Sequence, residues 1–329
     1  MRGAIATLMA VVAVALGGSV QEGLLAAPAD GATRPLADRQ LVLEGSLEPP
    51  RPLIKLSKRP HPLMGGLNDD WHVNVPDLRY ASDLGARLIR FPASWQDVQP
   101  EGPTQWNWHR LDQVMDEAAA RGLGVILALT GAPAWTHAGP GPGLRPETPV
   151  PPNPAYLPHW QEFVHQVVVR YPALTAVEIW NEQNIVTFWG GPPDPAQYTA
   201  LLDSAYGAVK SVRPDLPVLY GGLCPIVDGF GAPGEMGMRA YLQQSYAAGA
   251  KGRFDALAVH PYPLPMSRSD YLREIRLQLG DACRIMARHG EPGKRIWVTE
   301  AGFTTYGLLR HDYSPKPAYS RAAGLFRVP

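Results

Sequence analysis

The feature that most constrains this chain is an alternation. From about Leu63 to Glu300, short β-branched or apolar runs alternate with amphipathic helical segments. Repeated βα units around a parallel sheet produce this pattern, because strands covered on both faces read as continuous apolar runs and each needs a helix to cover it. The strand runs are Leu63 to Asn68, Arg87 to Phe91, Gly124 to Thr130, Ala176 to Trp180, Val218 to Leu223, Ala256 to His260 and Ile296 to Glu300, seven in all. Between them, Leu111, Val114, Met115 and Ala118 share a helical face that Gly122 terminates, and Trp160, Phe163, Val164, Val167, Val168 and Tyr171 form the clearest apolar stripe. Asp194-Pro195 supplies a cap and a favoured first residue for the helix carrying Tyr198, Leu201, Leu202 and Ala205. The expected fold class is therefore α/β, a (β/α)8-type TIM barrel incomplete at its C-terminal end, with an open doubly wound sheet as the alternative. No Gly-rich phosphate loop follows the first strand, and Gly139-Pro140-Gly141-Pro142-Gly143 is too Pro-rich to open a helix over a phosphate. A nucleotide-dependent enzyme is thereby ranked far behind, and no cofactor is expected.

Charge narrows the partner. Among 329 residues, 30 basic side chains balance 30 acidic ones, which leaves no electrostatic footprint for nucleic acid or an anionic membrane. Hydrophobic residues make up 45% and charged ones 18%, the composition of one large globular domain. Arg2 followed by the apolar stretch Ala4 to Leu16, with Ala27-Pro28-Ala29 as a small-residue cleavage site, reads as a secretory signal over residues 1–29. A secreted or extracytoplasmic protein is expected, without a stable membrane span once the signal is removed; an uncleaved anchor is the alternative. Residues 30–60 read as a Pro-rich linker and residues 61–329 as the barrel domain. Cys224 and Cys283 make no disulfide scaffold, and whether they pair is left open. His137, His159, His165 and His260 have no metal-ligand spacing, so no metal site is expected.

Two carboxylates stand where barrel chemistry belongs, at the C-terminal ends of strands. Glu182 follows the fourth run in Glu178-Ile179-Trp180-Asn181-Glu182-Gln183-Asn184, and Glu300 ends the seventh in Trp297-Val298-Thr299-Glu300-Ala301-Gly302. Glycosidic cleavage needs one carboxyl to protonate the leaving oxygen and another to attack or stabilise the anomeric carbon. Glu178 shares strand parity with Trp180 and is read as a structural partner of Arg90, since a buried acid and a buried Arg are tolerable only together. Trp95, Trp135 and Trp189 lie in predicted loops where flat rings can stack on sugar faces, Trp135 the foremost; ordinary core or rim packing is the competing role.

From Leu63 to Tyr319 the chain resembles the clan A glycoside hydrolases, most of all the β-xylosidase and α-L-iduronidase family, family 39, with family 5 as the alternative. The resemblance rests on the Asn181-Glu182 pair combined with Glu300 ending a later strand. It implies a retaining enzyme with Glu182 as acid/base and Glu300 as nucleophile, and it implies that Asn181 bonds the sugar's 2-hydroxyl. Arg90 matches the clan's arginine beside the nucleophile. His260 and Tyr262, in Val259-His260-Pro261-Tyr262, match positions that contact substrate or nucleophile, with a hydrogen bond from Tyr262 to Glu300 expected.

The pattern breaks after Glu300. In relatives a helix and an eighth strand bearing an active-site Trp come next, followed by a tail like Tyr306 to Asp312 and Pro315 to Tyr319; here too few residues intervene for a parallel crossover. The barrel is then expected to be open between its last and first strands, or irregularly filled there. The leading reading is hydrolysis of a β-linked oligo- or polysaccharide, and the alternative is a carbohydrate-binding pseudoenzyme. Sugar, linkage, exo or endo mode and oligomeric state are not encoded in these motifs.

Overall fold

The computed structural model describes residues 9–13, 64–68, 78–226, 231–261 and 268–300. The strands are β1 (Met9–Ala13), β2 (Met64–Asn68), β3 (Leu88–Ser94), β4 (Gly124–Thr130), β5 (Leu174–Asn181), β6 (Val218–Leu223), β7 (Ala256–Val259) and β8 (Arg295–Val298). The helices are α1 (Arg79–Leu84), α2 (Trp95–Val98), α3 (His109–Ala120), α4 (Leu157–Arg170), α5 (Val186–Trp189), α6 (Pro195–Val212), α7 (Met238–Ala247) and α8 (Arg268–Arg288).

All the strands form one sheet in chain order, and each pairing from β2 to β8 is parallel. A doubly wound sheet reverses its strand order at a switch point. This one does not, so the open-sheet alternative falls away.

Side-chain alternation sorts the apolar residues into two clusters. Leu88, Ile126, Ala176, Leu219, Ala256 and Ala258 form a small inner set, and their strand neighbours Ile89, Val125, Val177, Val218, Leu257 and Val259 join the large layer under the helices. The α4 stripe is buried as its spacing predicts, with Trp160, Phe163, Val164 and Val167 at 0% exposure. Asp194 accepts hydrogen bonds from the Ala196 and Gln197 amides at 2.9 Å each, capping α6 as expected. Gly122 has φ +64° just beyond α3, the left-handed conformation that ends a helix.

The count of seven strands is corrected, because the sheet holds eight among the described residues. The additional strand, β1, is antiparallel to β2, with Met9 opposite Asn68 and Ala13 opposite Met64, and it also approaches β8. It comes from the apolar N-terminal stretch. A bare sheet edge offers a row of unpaired N–H and C=O groups, and an extended run with two adjacent valines satisfies them. The tail from Tyr306 to Tyr319 lies outside the described residues. No helix among the described residues is long and apolar enough to cross a membrane.

Candidate active site

Arg90 shares strand parity with Leu88 and Glu178 with Ala176, so both side chains enter the sheet's inner face, where neither could stand alone. Together they form a forked pair: Arg90 Nε donates to Glu178 Oε2 and Nη2 to Glu178 Oε1, both at 2.9 Å. The Gly222 amide donates a further bond to Glu178 Oε1 at 2.9 Å. The rest of the guanidinium faces the strand ends. Nη2 also donates to Asn181 Oδ1, and Nη1 donates to Glu300 Oε1, each at 2.7 Å. One cation thus orients the ion-pair partner, the amide and the last-strand carboxylate.

Glu182 sits just past β5 in the left-handed region at φ +45°, and Trp180 before it has φ +72°. A non-glycine residue there costs about 1–2 kcal/mol. The surroundings hold it in place. The Glu182 amide donates to the Gly222 carbonyl at 2.8 Å, and the Trp180 indole donates to the Phe188 carbonyl at 2.7 Å. Two residues on, the Asn184 amide nitrogen donates to the carbonyls of Cys224 and Met236 while its Oδ1 accepts the Cys224 amide, tying this turn to the loop after β6.

His260, fully buried beyond β7, connects the two carboxylates. Its Nδ1 lies 3.0 Å from Glu182 Oε1 and 3.8 Å from Glu300 Oε2; its Nε2 lies 3.1 Å from Thr299 Oγ1 and 3.9 Å from Glu178 Oε1. The ring fits because β6 carries two glycines, Gly221 and Gly222, just before its last residue. A Cβ on Gly222 would stand 2.0 Å from His260 Nε2, and one on Gly221 would stand 2.3 Å from the Ile179 carbonyl.

Burial raises the Glu182 pKa above its ordinary 4.5 and the Glu300 charge adds to this, while the His260 hydrogen bond and Arg90 pull the other way. For His260, burial is the largest influence and works against the cation. The charge of Glu300 and the bond to Glu182 outweigh it and raise the imidazole above 6.5. One atom each from Glu182, His260 and Glu300 lies within 4.8 Å of the others. A metal would have to displace the His260–Glu182 bond and sit beside the Arg90 cation, so the cluster is better suited to handling protons than to holding a metal ion. A neutral acid beside an ionised one can protonate a leaving group while the other meets an electrophilic carbon.

The structure thus brings together Glu182, Glu300, Arg90, Asn181 and His260. Tyr262 and its bond to Glu300 lie outside the described residues. Trp135 is half-buried; its indole donates to the Gln99 carbonyl at 2.9 Å and meets Trp95, Tyr156 and His159 edgewise. The sugar-stacking role for Trp95 and Trp189 is corrected. Trp95 is sealed against Trp160 and Phe163, and Trp189 against Trp180 and Tyr198. Cys224 and Cys283 are both free, and burial holds the Cys224 thiol well above its usual range. Sequence reasoning passed over Thr299, Gly221, Gly222 and Asn184; the paired glycines closing an apolar strand were the available signal.

No known family's sequence profile matches the chain, and no curated protein matches it. Solved structures do. A family 39 glycoside hydrolase from the gut symbiont Bacteroides cellulosilyticus superposes with TM-score 0.52 at 20% identity, over 80% of this chain and 63% of that one. A glucosidase from Croceicoccus marinus gives TM-score 0.51 at 17% identity, over 77% and 53%. The structural neighbours are clan A glycoside hydrolases. The chain shares their barrel fold. It spans less than two thirds of the length of either of these two, and at such identities the likeness concerns the fold. Within that barrel fold the carboxylate cluster lies at the C-terminal ends of β5 and β8, the end where barrel enzymes carry their chemistry.

Proposed function

We propose that the chain is a retaining glycoside hydrolase acting on a β-linked oligo- or polysaccharide, with Glu182 as acid/base and Glu300 as nucleophile. One observation carries this reading: oxygens of the two carboxylates lie within 4.8 Å of each other. Retaining enzymes hold the carboxyls at about 5–5.5 Å, whereas inverting ones leave about 6.5–9.5 Å for a water. The polar groups divide the work. Arg90, 2.7 Å from Glu300 Oε1, favours the ionised nucleophile. Burial keeps Glu182 protonated at higher pH, as a general acid requires.

Protonation of the glycosidic oxygen by Glu182 expels the leaving group while Glu300 attacks the anomeric carbon. Ester formation then neutralises Glu300 and removes one of the charges that raised Glu182. Glu182 becomes the base that takes a proton from water, and the water displaces Glu300. Asn181 gives its Oδ1 to Arg90, which leaves the amide's Nδ2 as the donor for the sugar's 2-hydroxyl. Tyr262 is proposed to assist Glu300, and Trp135 to contact sugar at the pocket's edge. Export, directed by the N-terminal apolar stretch, is part of the same proposal.

The test is nitrophenol release from aryl β-xyloside, glucoside, galactoside and mannoside by wild type, Glu182→Gln and Glu300→Gln. Hydrolysis abolished by Glu300→Gln is the expected result. Equal rates in all three proteins would overturn the assignment. Saturable oligosaccharide binding without product would instead make the chain a carbohydrate-binding pseudoenzyme.

A further inference from the structure

We propose that Thr299 is a positioning residue of the acid/base apparatus: its hydroxyl holds the Nε2 edge of His260 in the proton-bearing form, so that Nδ1 stays committed to Glu182. The proposal rests on the reading of Glu182 as acid/base.

The tautomer follows from the surroundings. Nε2 faces Thr299 Oγ1 at 3.1 Å and, behind it, the Glu178 carboxylate at 3.9 Å. Glu178 is itself held by Arg90 and the Gly222 amide, which fixes its acceptor oxygens at that edge. A lone pair on Nε2 would point at those acceptor oxygens, whereas an N–H there donates to Thr299. With Nε2 protonated in both charge states of the ring, only the Nδ1 edge changes. Neutral His260 accepts a proton from Glu182 Oε1 at 3.0 Å, and the cation returns it across the same bond. The ring need not turn, and Gly222 lies directly against its Nε2 edge, where an added methyl group would overlap it.

Among the described residues, the charged groups facing the ring act on this equilibrium. Glu182 and Glu178 come from β5, Glu300 follows β8 and Arg90 comes from β3; the carboxylates favour the cation and Arg90 opposes it. Thr299 is the neutral member that can be altered without changing net charge, and it is fully buried beside the nucleophile.

Thr299→Val keeps the shape and removes the acceptor, and Thr299→Ser keeps the acceptor. The His260 resonance, assigned in ¹⁵N-histidine-labelled protein against His260→Gln, reports the ring's pKa without any need for turnover. In Thr299→Val it is expected to fall by about half to one pH unit, because the bond to Thr299 is stronger for the cation than for the neutral ring and that difference is lost. Less cation beside Glu182 raises that carboxyl's pKa, so the basic limb of kcat/KM moves up in pH. At the optimum kcat falls about 2- to 10-fold with KM unchanged. Thr299→Ser is expected to retain the wild-type titration and profile. An unchanged His260 titration in Thr299→Val, or equal changes in the Val and Ser variants, overturns the proposal. If the titration shifts as expected but no protein hydrolyses any glycoside, the positioning role stands as a property of the cluster and it is the hydrolase reading that fails.

Discussion

Glu182 and His260 both carry pKa values displaced upward in the folded chain, from 4.5 and 6.5 respectively. An upward displacement means that the folded cluster binds protons more tightly than the unfolded chain does. The resulting stability is fully present below the unfolded pKa values and is lost as pH rises through the folded ones. Thermal stability is therefore expected to decline as pH rises above 4.5 for the Glu182 contribution and above 6.5 for the His260 contribution. In Glu182→Gln one raised group disappears and the His260 proton loses its partner, so the decline should be shallower; melting curves at stepped pH measure this. A slope as steep in the variant as in wild type would contradict the burial and coupling described for Glu182. Arg90 was readable in advance as the partner of Glu178, because a buried arginine and a buried acid are tolerable only together, and its place beside Glu300 followed from the family resemblance. Thr299 was not. A threonine in an apolar run read as a strand is ordinary β-branched filler unless one knows which imidazole faces it, and His260 lies far away along the chain.

At the scale of elements, the glycines closing β6 are where the barrel and the cluster meet. Gly222→Ala would put a methyl carbon 2.0 Å from His260 Nε2 and 2.6 Å from two ring carbons, so ring or strand must move. Overpacking of this kind is expected to lower the melting temperature by about 2–8 °C. It should also reduce kcat/KM by about 100-fold, the scale of one misplaced catalytic group. Gly293→Ala, at an exposed turn with nothing within 4 Å of the new methyl, should change neither and serves as the control. The long amphipathic elements were legible because periodicity reports burial directly: every apolar position of the α4 stripe is inside. Short elements were not. Trp95 opens α2 and Trp189 closes α5, both four-residue helices, and these turn the rings into the shell. Their composition alone does not say which way a side chain leaves a turn. The last strand ends at Val298, which leaves Thr299 and Glu300 on the irregular backbone beyond it.

For the molecule as a whole, the unbroken βα alternation made the fold class readable, while the closing of the sheet was not, since a strand drawn from the N-terminal stretch leaves no mark in the alternation. The seat beside β2 is filled by β1, running antiparallel. Cleavage of an export signal over residues 1–29 would take β1 with it and vacate that seat. A chain beginning at residue 30 is therefore expected to expose the β2 edge, melt at lower temperature and self-associate, as read by light scattering. Equal melting temperature and a monomeric state in both forms would show that β1 contributes nothing to the sheet. The carboxylate pair fixes the stereochemistry of cleavage. Proton NMR of the first sugar released from the best aryl β-glycoside should show the β-anomer, because two successive displacements at Glu300 restore the starting configuration. The α-anomer appearing first, or no hydrolysis by folded protein, would contradict the account.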